Sequence, residues 1–176
     1  ITCSVVGDDT TQRRSCGAAD VEVAAVSLAL PKGTSTMSRV LKLGHCGYDL
    51  LSVIPSSRWD VDDAAHSLAG MTPEVASRVR HGGFMHDAEL FEHTFFSISA
   101  AEASAMDPQQ RLLLERGYAA LHAAGLDRAA LGGSLTGFFL GFANIEFAQI
   151  VMASPVGGTV YAATGCTSSI ASGRLS

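Results

Sequence analysis

A chain of 176 residues, 47% of them hydrophobic, is long enough to bury one ordinary core and too apolar for a disordered protein. Its formal net charge is −5 and its cations cluster only at Arg78, Arg80 and His81, a pattern that argues against nucleic-acid binding. The four cysteines (Cys3, Cys16, Cys46 and Cys166) form no C-x-x-C pair and are too sparse for a disulfide framework, and no apolar run reaches membrane-spanning length.

Residues 1–20, rich in Thr, Arg, Asp and Gly, read as a polar leader or linker that lacks the apolar core of a signal peptide. Val21 to Leu30 is a run of small and β-branched apolar residues that suits a buried strand, closed by the turn Pro31-Lys32-Gly33. Met37 to Leu43 fits a short helix, and Trp59 an aromatic anchor between surface and core. Residues 61–80 read as an insertion with one short helix, capped by Thr72 with Pro73 behind it. Ser99-Ala100-Ala101-Glu102 has the form of a capping box, which starts another short helix.

The next helix has the clearest start. Asp107 can cap orphan amides, and Pro108 fits the first helical position, where no amide donor is needed. Leu114, Tyr118 and Leu121 then recur at spacings of four and three, an apolar stripe that ends before Gly125. Leu135 to Phe142 reads as a second strand whose glycines allow close backbone packing. Asn144 to Met152 suits a helix, Val160 to Ala163 a short strand or extended segment, and Thr167 to Leu175 a helix. Strands alternating with helices predict α/β layers.

Most of the familiar site signatures fail. His81, His86 and His93 stand at spacings of five and seven, so no two share a helical face as a zinc pair would, and His45-Cys46 has no third ligand nearby. Gly132-Gly133-Ser134 misses the G-x-S-x-G elbow because Thr136 stands where its last glycine is needed. The same glycines precede a strand, the wrong order for a dinucleotide-binding turn, and no phosphate-binding P-loop is present. No metal site is expected.

Four stretches carry a stronger signal through their order. They are Arg80-His81-Gly82-Gly83-Phe84, then Phe95-Phe96-Ser97-Ile98-Ser99, then Met106-Asp107-Pro108-Gln109-Gln110-Arg111-Leu112-Leu113-Leu114-Glu115, and finally Thr164-Gly165 through Ser172-Gly173-Arg174-Leu175-Ser176. Together they resemble the ketosynthase domains of modular polyketide synthases and their fatty acid synthase relatives. The resemblance runs over residues 21–176 but covers only the N-terminal portion of a family domain. It implies the first portion of a thiolase-like layered α-β-α-β-α sandwich. The parent it implies is a homodimeric acyltransferase that condenses an acyl thioester with a malonyl unit on an acyl carrier protein. Phosphopantetheine would arrive on that carrier, with no cofactor bound directly. A cytoplasmic location is expected, with organellar targeting left open.

In the family, the nucleophile sits in a Thr-Ala-Cys-Ser-Ser motif shortly after Ser-Gly-Arg-Leu-Ser, and two catalytic histidines follow later. Residues 21–176 are therefore expected to stop before the nucleophile, to hold no catalytic residue and to be inactive alone. Thr164-Gly165-Cys166-Thr167-Ser168-Ser169 imitates the nucleophile motif. The Ser172–Ser176 segment that follows it marks this as the stretch before the nucleophile, so Cys166 is expected to be a packed or pocket-adjacent thiol. By the same resemblance this region lies near the acyl pocket and dimer interface, with Tyr161, Thr164 and Cys166 lining or buttressing the pocket. Ser27–Gly33 departs from the family's Cys-Arg-Phe-Pro-Gly-like motif. That departure favours one alternative, a non-elongating homologue that binds acyl carriers; a truncated interaction module is the other.

Overall fold

Residues 2–7, 22–60, 70–141, 143 and 146–176 are described by a computed structural model. They divide into two units, one built from the chain up to Leu28 together with Asp87–Ser176, the other from Ala29–His86.

In the first unit, β1 (Thr2–Gly7) pairs antiparallel with β2 (Glu22–Leu28), from Thr2 opposite Leu28 to Gly7 opposite Glu22, with a bulge between Val5 and Val6. Part of the expected polar leader is thus a strand. Its Val5-Val6 run supplies the β-branched residues that a pleated backbone favours. Residues 8–20 of that leader lie outside the described residues, as does Val21 at the start of the expected second strand.

The helices follow their caps. Ser99 Oγ accepts from the Glu102 amide at 3.1 Å and opens α3 (Ala100–Ala105), the third helix in chain order after the two of the second unit. Asp107 Oδ1 accepts from the Gln109 amide at 2.8 Å and opens α4 (Pro108–Ala123). A cap of this kind stabilises by about 1 kcal/mol. Helix α4 gives out at Gly125, whose φ of +72° is a left-handed exit that glycine adopts without strain. The ring-rich turn before α3 is fixed by His93, whose Nδ1 meets the Ile98 carbonyl at 2.7 Å, and by stacking of Phe91 on Phe96. Then come α5 (Arg128–Leu131), α6 (Glu146–Met152), α7 (Tyr161–Cys166) and α8 (Ser168–Leu175).

Three expectations change here. The buried face of α4 is Gln110, Leu113, Leu114, Gly117 and Ala120, so of the expected stripe Leu114 is buried while Tyr118 and Leu121 are not. The helix is rotated so that small residues meet its neighbours; Leu175 of α8 lies where a Cβ on Gly117 would come within 2.7 Å of its Cδ2. Tyr118 stays half exposed and packs edge-on against Phe95 at 4.9 Å. Residues 135–141 form neither helix nor strand, with Leu135 and Phe139 fully exposed; a strand needs a backbone partner as well as an apolar sequence. Phe142, Asn144 and Ile145 lie outside the described residues. Val160 to Ala163 is not extended. Its Tyr161-Ala162-Ala163 portion opens α7, where alanine's helix propensity is met by a site that receives the helix's free carbonyls.

That site is the centre of the unit. Gly165 of α7 passes over the end of α3 so closely that a Cβ there would sit 2.1 Å from the Ala105 carbonyl oxygen. The crossing is sealed by the Asp107 amide, which donates to the Gly165 carbonyl at 2.9 Å. Ala105, Met106, Ala162 and Ala171 are buried around it. The three alanines let backbones approach, and Met106 fills the space beside them.

The second unit is smaller. Leu30 and Thr34 bridge a 3-10 turn over Pro31–Gly33; α1 (Met37–His45) starts at the Thr36 cap and α2 (Pro73–Arg78) at the expected Thr72 cap. β3 (Ser52–Val53) pairs antiparallel with β4 (His81–Gly82), and the Ile54 amide donates to the Arg80 carbonyl at 2.9 Å. The Arg80–Phe84 motif is thus a strand and its exit, with Phe84 edge-on to the half-exposed Trp59 at 6.3 Å. Residues 61–69 of the expected insertion lie outside the described residues.

The crossing gives a direct expectation. Gly165→Ala forces a methyl group into a backbone carbonyl and lowers stability by about 3 kcal/mol, read as a large fall in the thermal midpoint. Gly173→Ala, in the middle of α8 with open space around its Cα, leaves the midpoint unchanged or raises it slightly. Equal effects of the two substitutions would contradict the crossing.

Candidate functional site

The last carbonyls of a helix have no partner within it. For α7 the partners come from the start of α4. Besides the Asp107 amide on Gly165, the Gln110 side-chain amide donates to the Thr164 carbonyl at 3.3 Å and to the Thr167 carbonyl at 3.1 Å. Asp107 and Gln110 are both almost fully buried, 2% and 1% exposed. The Met106–Gln110 run therefore has a physical meaning beyond starting a helix: it fills the core with Met106, caps α4 with Asp107 and closes α7 with Gln110.

Beside this clamp the surface opens into a groove of about 570 Å³, lined by Tyr161 and Thr164 of α7, Ser169, Ile170 and Arg174 of α8, and Glu102 of α3. Arg174 Nη1 and Glu102 Oε1 meet at 2.7 Å, and both side chains are mostly buried. Each charge on the groove wall is thus committed to the other, which ties α8 to α3. The Thr164 hydroxyl donates to the Tyr161 carbonyl at 3.2 Å, and Val160 stands exposed at the rim. The lining mixes aliphatic, aromatic and hydroxyl surface, a wall suited to an apolar chain bearing a few polar groups. Its neighbour, bordered by Phe138 to Gly141 with Ser168, Ser169 and Ser172, is a second open groove along the unpaired segment.

The structure brings together two of the three residues singled out from the sequence. Tyr161 and Thr164 share the groove; Cys166 is not among its lining residues. Cys166 ends α7, with its Sγ 3.9 Å from the Ala105 carbonyl. Burial pushes its thiol above the ordinary range, and the Asp107 carboxylate pushes it further the same way. A protonated thiol is a poor nucleophile. Among the described residues no three His, Cys, Asp or Glu side chains gather as a metal would need.

Sequence reasoning missed the Glu102–Arg174 pair and the role of Gln110. Glu102 was legible only as a cap residue and Arg174 only as part of a motif, because nothing local links residues so far apart in the chain. Gln110 carried a weak signal, a polar residue on the face of a helix that otherwise buries apolar and small side chains.

Residues 18–176 match the family model for the N-terminal domain of beta-ketoacyl synthase. The chain is 42% identical over 158 residues to polyketide synthase GfsB of Streptomyces halstedii, which covers 88% of this chain and 3% of that protein. It is 41% identical over 160 residues to erythronolide synthase EryA2 of Saccharopolyspora erythraea, covering 88% of this chain and 4% of that one. The chain thus spans only a few per cent of the length of these relatives. Among solved structures, the oxazolomycin ketosynthase domain OzmH KS7 of Streptomyces albus JA3453 superposes with a TM-score of 0.67 at 26% identity, over 84% of this chain and 25% of that chain. The units described above are accordingly a portion of the thiolase-like fold.

The raised thiol of Cys166 can be checked by alkylation. At neutral pH iodoacetamide modifies the exposed Cys46 at least about tenfold faster than Cys166, followed by peptide mass spectrometry. Because the shift is upward, the Cys166 rate keeps rising as pH climbs past the ordinary thiol range. Cys166 reacting faster than Cys46 would contradict the upward shift.

Proposed function

The chain belongs to the beta-ketoacyl synthase family, and from that premise we propose that it works within a polyketide-forming condensing enzyme, where it supplies scaffold and acyl-binding surface. The proposed reaction passes an acyl group from a carrier's phosphopantetheine thioester to an enzyme cysteine. Decarboxylation of a malonyl unit then releases carbon dioxide and yields a carbanion that attacks the acyl-enzyme thioester, expelling the cysteine thiolate and leaving a β-ketoacyl product on the carrier. The observation that carries this reading is the match at 42% identity over 158 residues with a polyketide synthase. An acyl carrier protein is the proposed partner, and the intact enzyme is proposed to be a homodimer.

Within that reaction Cys166 is not the acyl acceptor. The acceptor must be thiolate-like, with a donor set for the developing enolate oxygen, whereas burial and the Asp107 carboxylate both push the Cys166 thiol up, away from the thiolate form. Tyr161 and Thr164 are proposed to contact the acyl chain or its thioester arm from the groove wall. Tyr161 offers an aromatic face and a phenol, and Thr164 a methyl group beside a hydroxyl already turned to its own helix.

Two experiments test the reading. The 176-residue chain incubated with acyl- and malonyl-carrier substrates should form no β-ketoacyl product above a no-protein control. In the full-length protein, Cys166→Ala should retain at least about half of the acyl-enzyme formed by the unaltered protein, since no transition-state contact is removed. Loss of all acylation in that variant, with its circular dichroism unchanged, would make Cys166 the nucleophile and overturn the assignment.

A further inference from the structure

Helices α7 and α8 are separated by a single residue. Thr167 stands between them with φ −93° and ψ 124°, an extended conformation between two helical segments, so the angle between the helices is set at one pair of torsions. The two carbonyls on either side of that bend, Thr164 in the last turn of α7 and Thr167 itself, both accept from one group, the primary amide of Gln110. A side chain with a single donor could hold one side of the bend only.

The acceptor half of the same amide is idle. Gln110 Oε1 is buried and accepts nothing among the described residues. An orphan buried acceptor is costly, and a methionine or leucine of similar volume would avoid it. What glutamine offers over those residues at this position is its pair of N–H donors, and both are used. We propose that Gln110 is a positioning residue. It fixes the bend between α7 and α8 and thereby the shape of the groove whose walls are Tyr161 and Thr164 on one helix and Ser169, Ile170 and Arg174 on the other. The consequence for acyl selection rests on the functional reading above; the clamp itself does not.

The test separates the two. Gln110→Met in the full-length protein keeps the volume and removes both donors, and Gln110→His keeps one ring N–H as a partial rescue. The probe is the Ile170 amide, which donates to the same Thr167 carbonyl at 3.2 Å. Gln110→Met should speed hydrogen exchange at Ile170 and the following α8 amides at least about tenfold, while amides of α1 keep their rates. In the condensing assay, KM for the acyl thioester should rise about fivefold with kcat within about twofold, and Gln110→His should fall between the two. A purely space-filling Gln110 predicts unchanged Ile170 exchange in Gln110→Met, and that result overturns the clamp whatever the acyl assay shows. Faster Ile170 exchange with an unchanged KM supports the clamp and sinks the acyl-groove reading instead. Should Gln110→Met fail to fold, Gln110→His decides alone: exchange at Ile170 equal to that of the unaltered protein refutes the clamp.

Discussion

Two backbones touch at Gly165. Most helix contacts are mediated by side chains, which can shift by tenths of an ångström to absorb a misfit. Here the space for a Cβ is already occupied by the Ala105 carbonyl, so the approach is possible only for glycine. Because α3 ends at that point and α4 begins three residues later, the crossing places the Asp107 amide under Gly165 and the Gln110 amide under the last turn of α7. The rest of the unit is arranged around that fit. Alanines at 105, 120, 162 and 171 keep the neighbouring backbones close, and Leu175 folds onto Gly117.

The groove inherits its form from the same contact. Its walls are side chains of α7, α8 and α3, and every one of those helices is anchored at or beside the crossing. The Glu102–Arg174 pair adds a second tie, which at its partial burial stabilises by about 1 kcal/mol and serves more to fix where α8 lies than how firmly it holds. Cys166 belongs to the anchored side of this arrangement. Packed toward Ala105 and close to Asp107, it is placed for a structural part and not for attack on a thioester.

Much of this was legible in the sequence because it is local. Thr72, Ser99 and Asp107 announce helix starts through short-range hydrogen bonds, and all three cap as their sequence suggests. The ordered motifs pointed to the family for a different reason: they hold together contacts that a single stretch cannot explain. What stayed hidden was long-range. Nothing near Gly165 says that the Ala105 carbonyl lies against it, and nothing near Gln110 says which carbonyls its amide will meet. The failures have the same root. Leu135 to Gly141 has the composition of a strand, but pairing is a property of two segments, and the sequence of one cannot supply the other. Of the α4 stripe Leu114 is buried, but Tyr118 and Leu121 are not, because small residues carry no apolar signal in the sequence. In this helix the close contact is made by Gly117 and Ala120.

The most direct check of the crossing is the exchange rate of one proton. The Asp107 amide lies at the start of α4, where the first amides of a helix ordinarily face solvent and exchange quickly, but here it is buried on the Gly165 carbonyl at 2.9 Å. Native-state hydrogen exchange by nuclear magnetic resonance should find it protected as strongly as the interior amides of α4. Exchange at the rate of an open helix start would mean that α7 does not lie on α3 as described, and the account of the groove would fall with it.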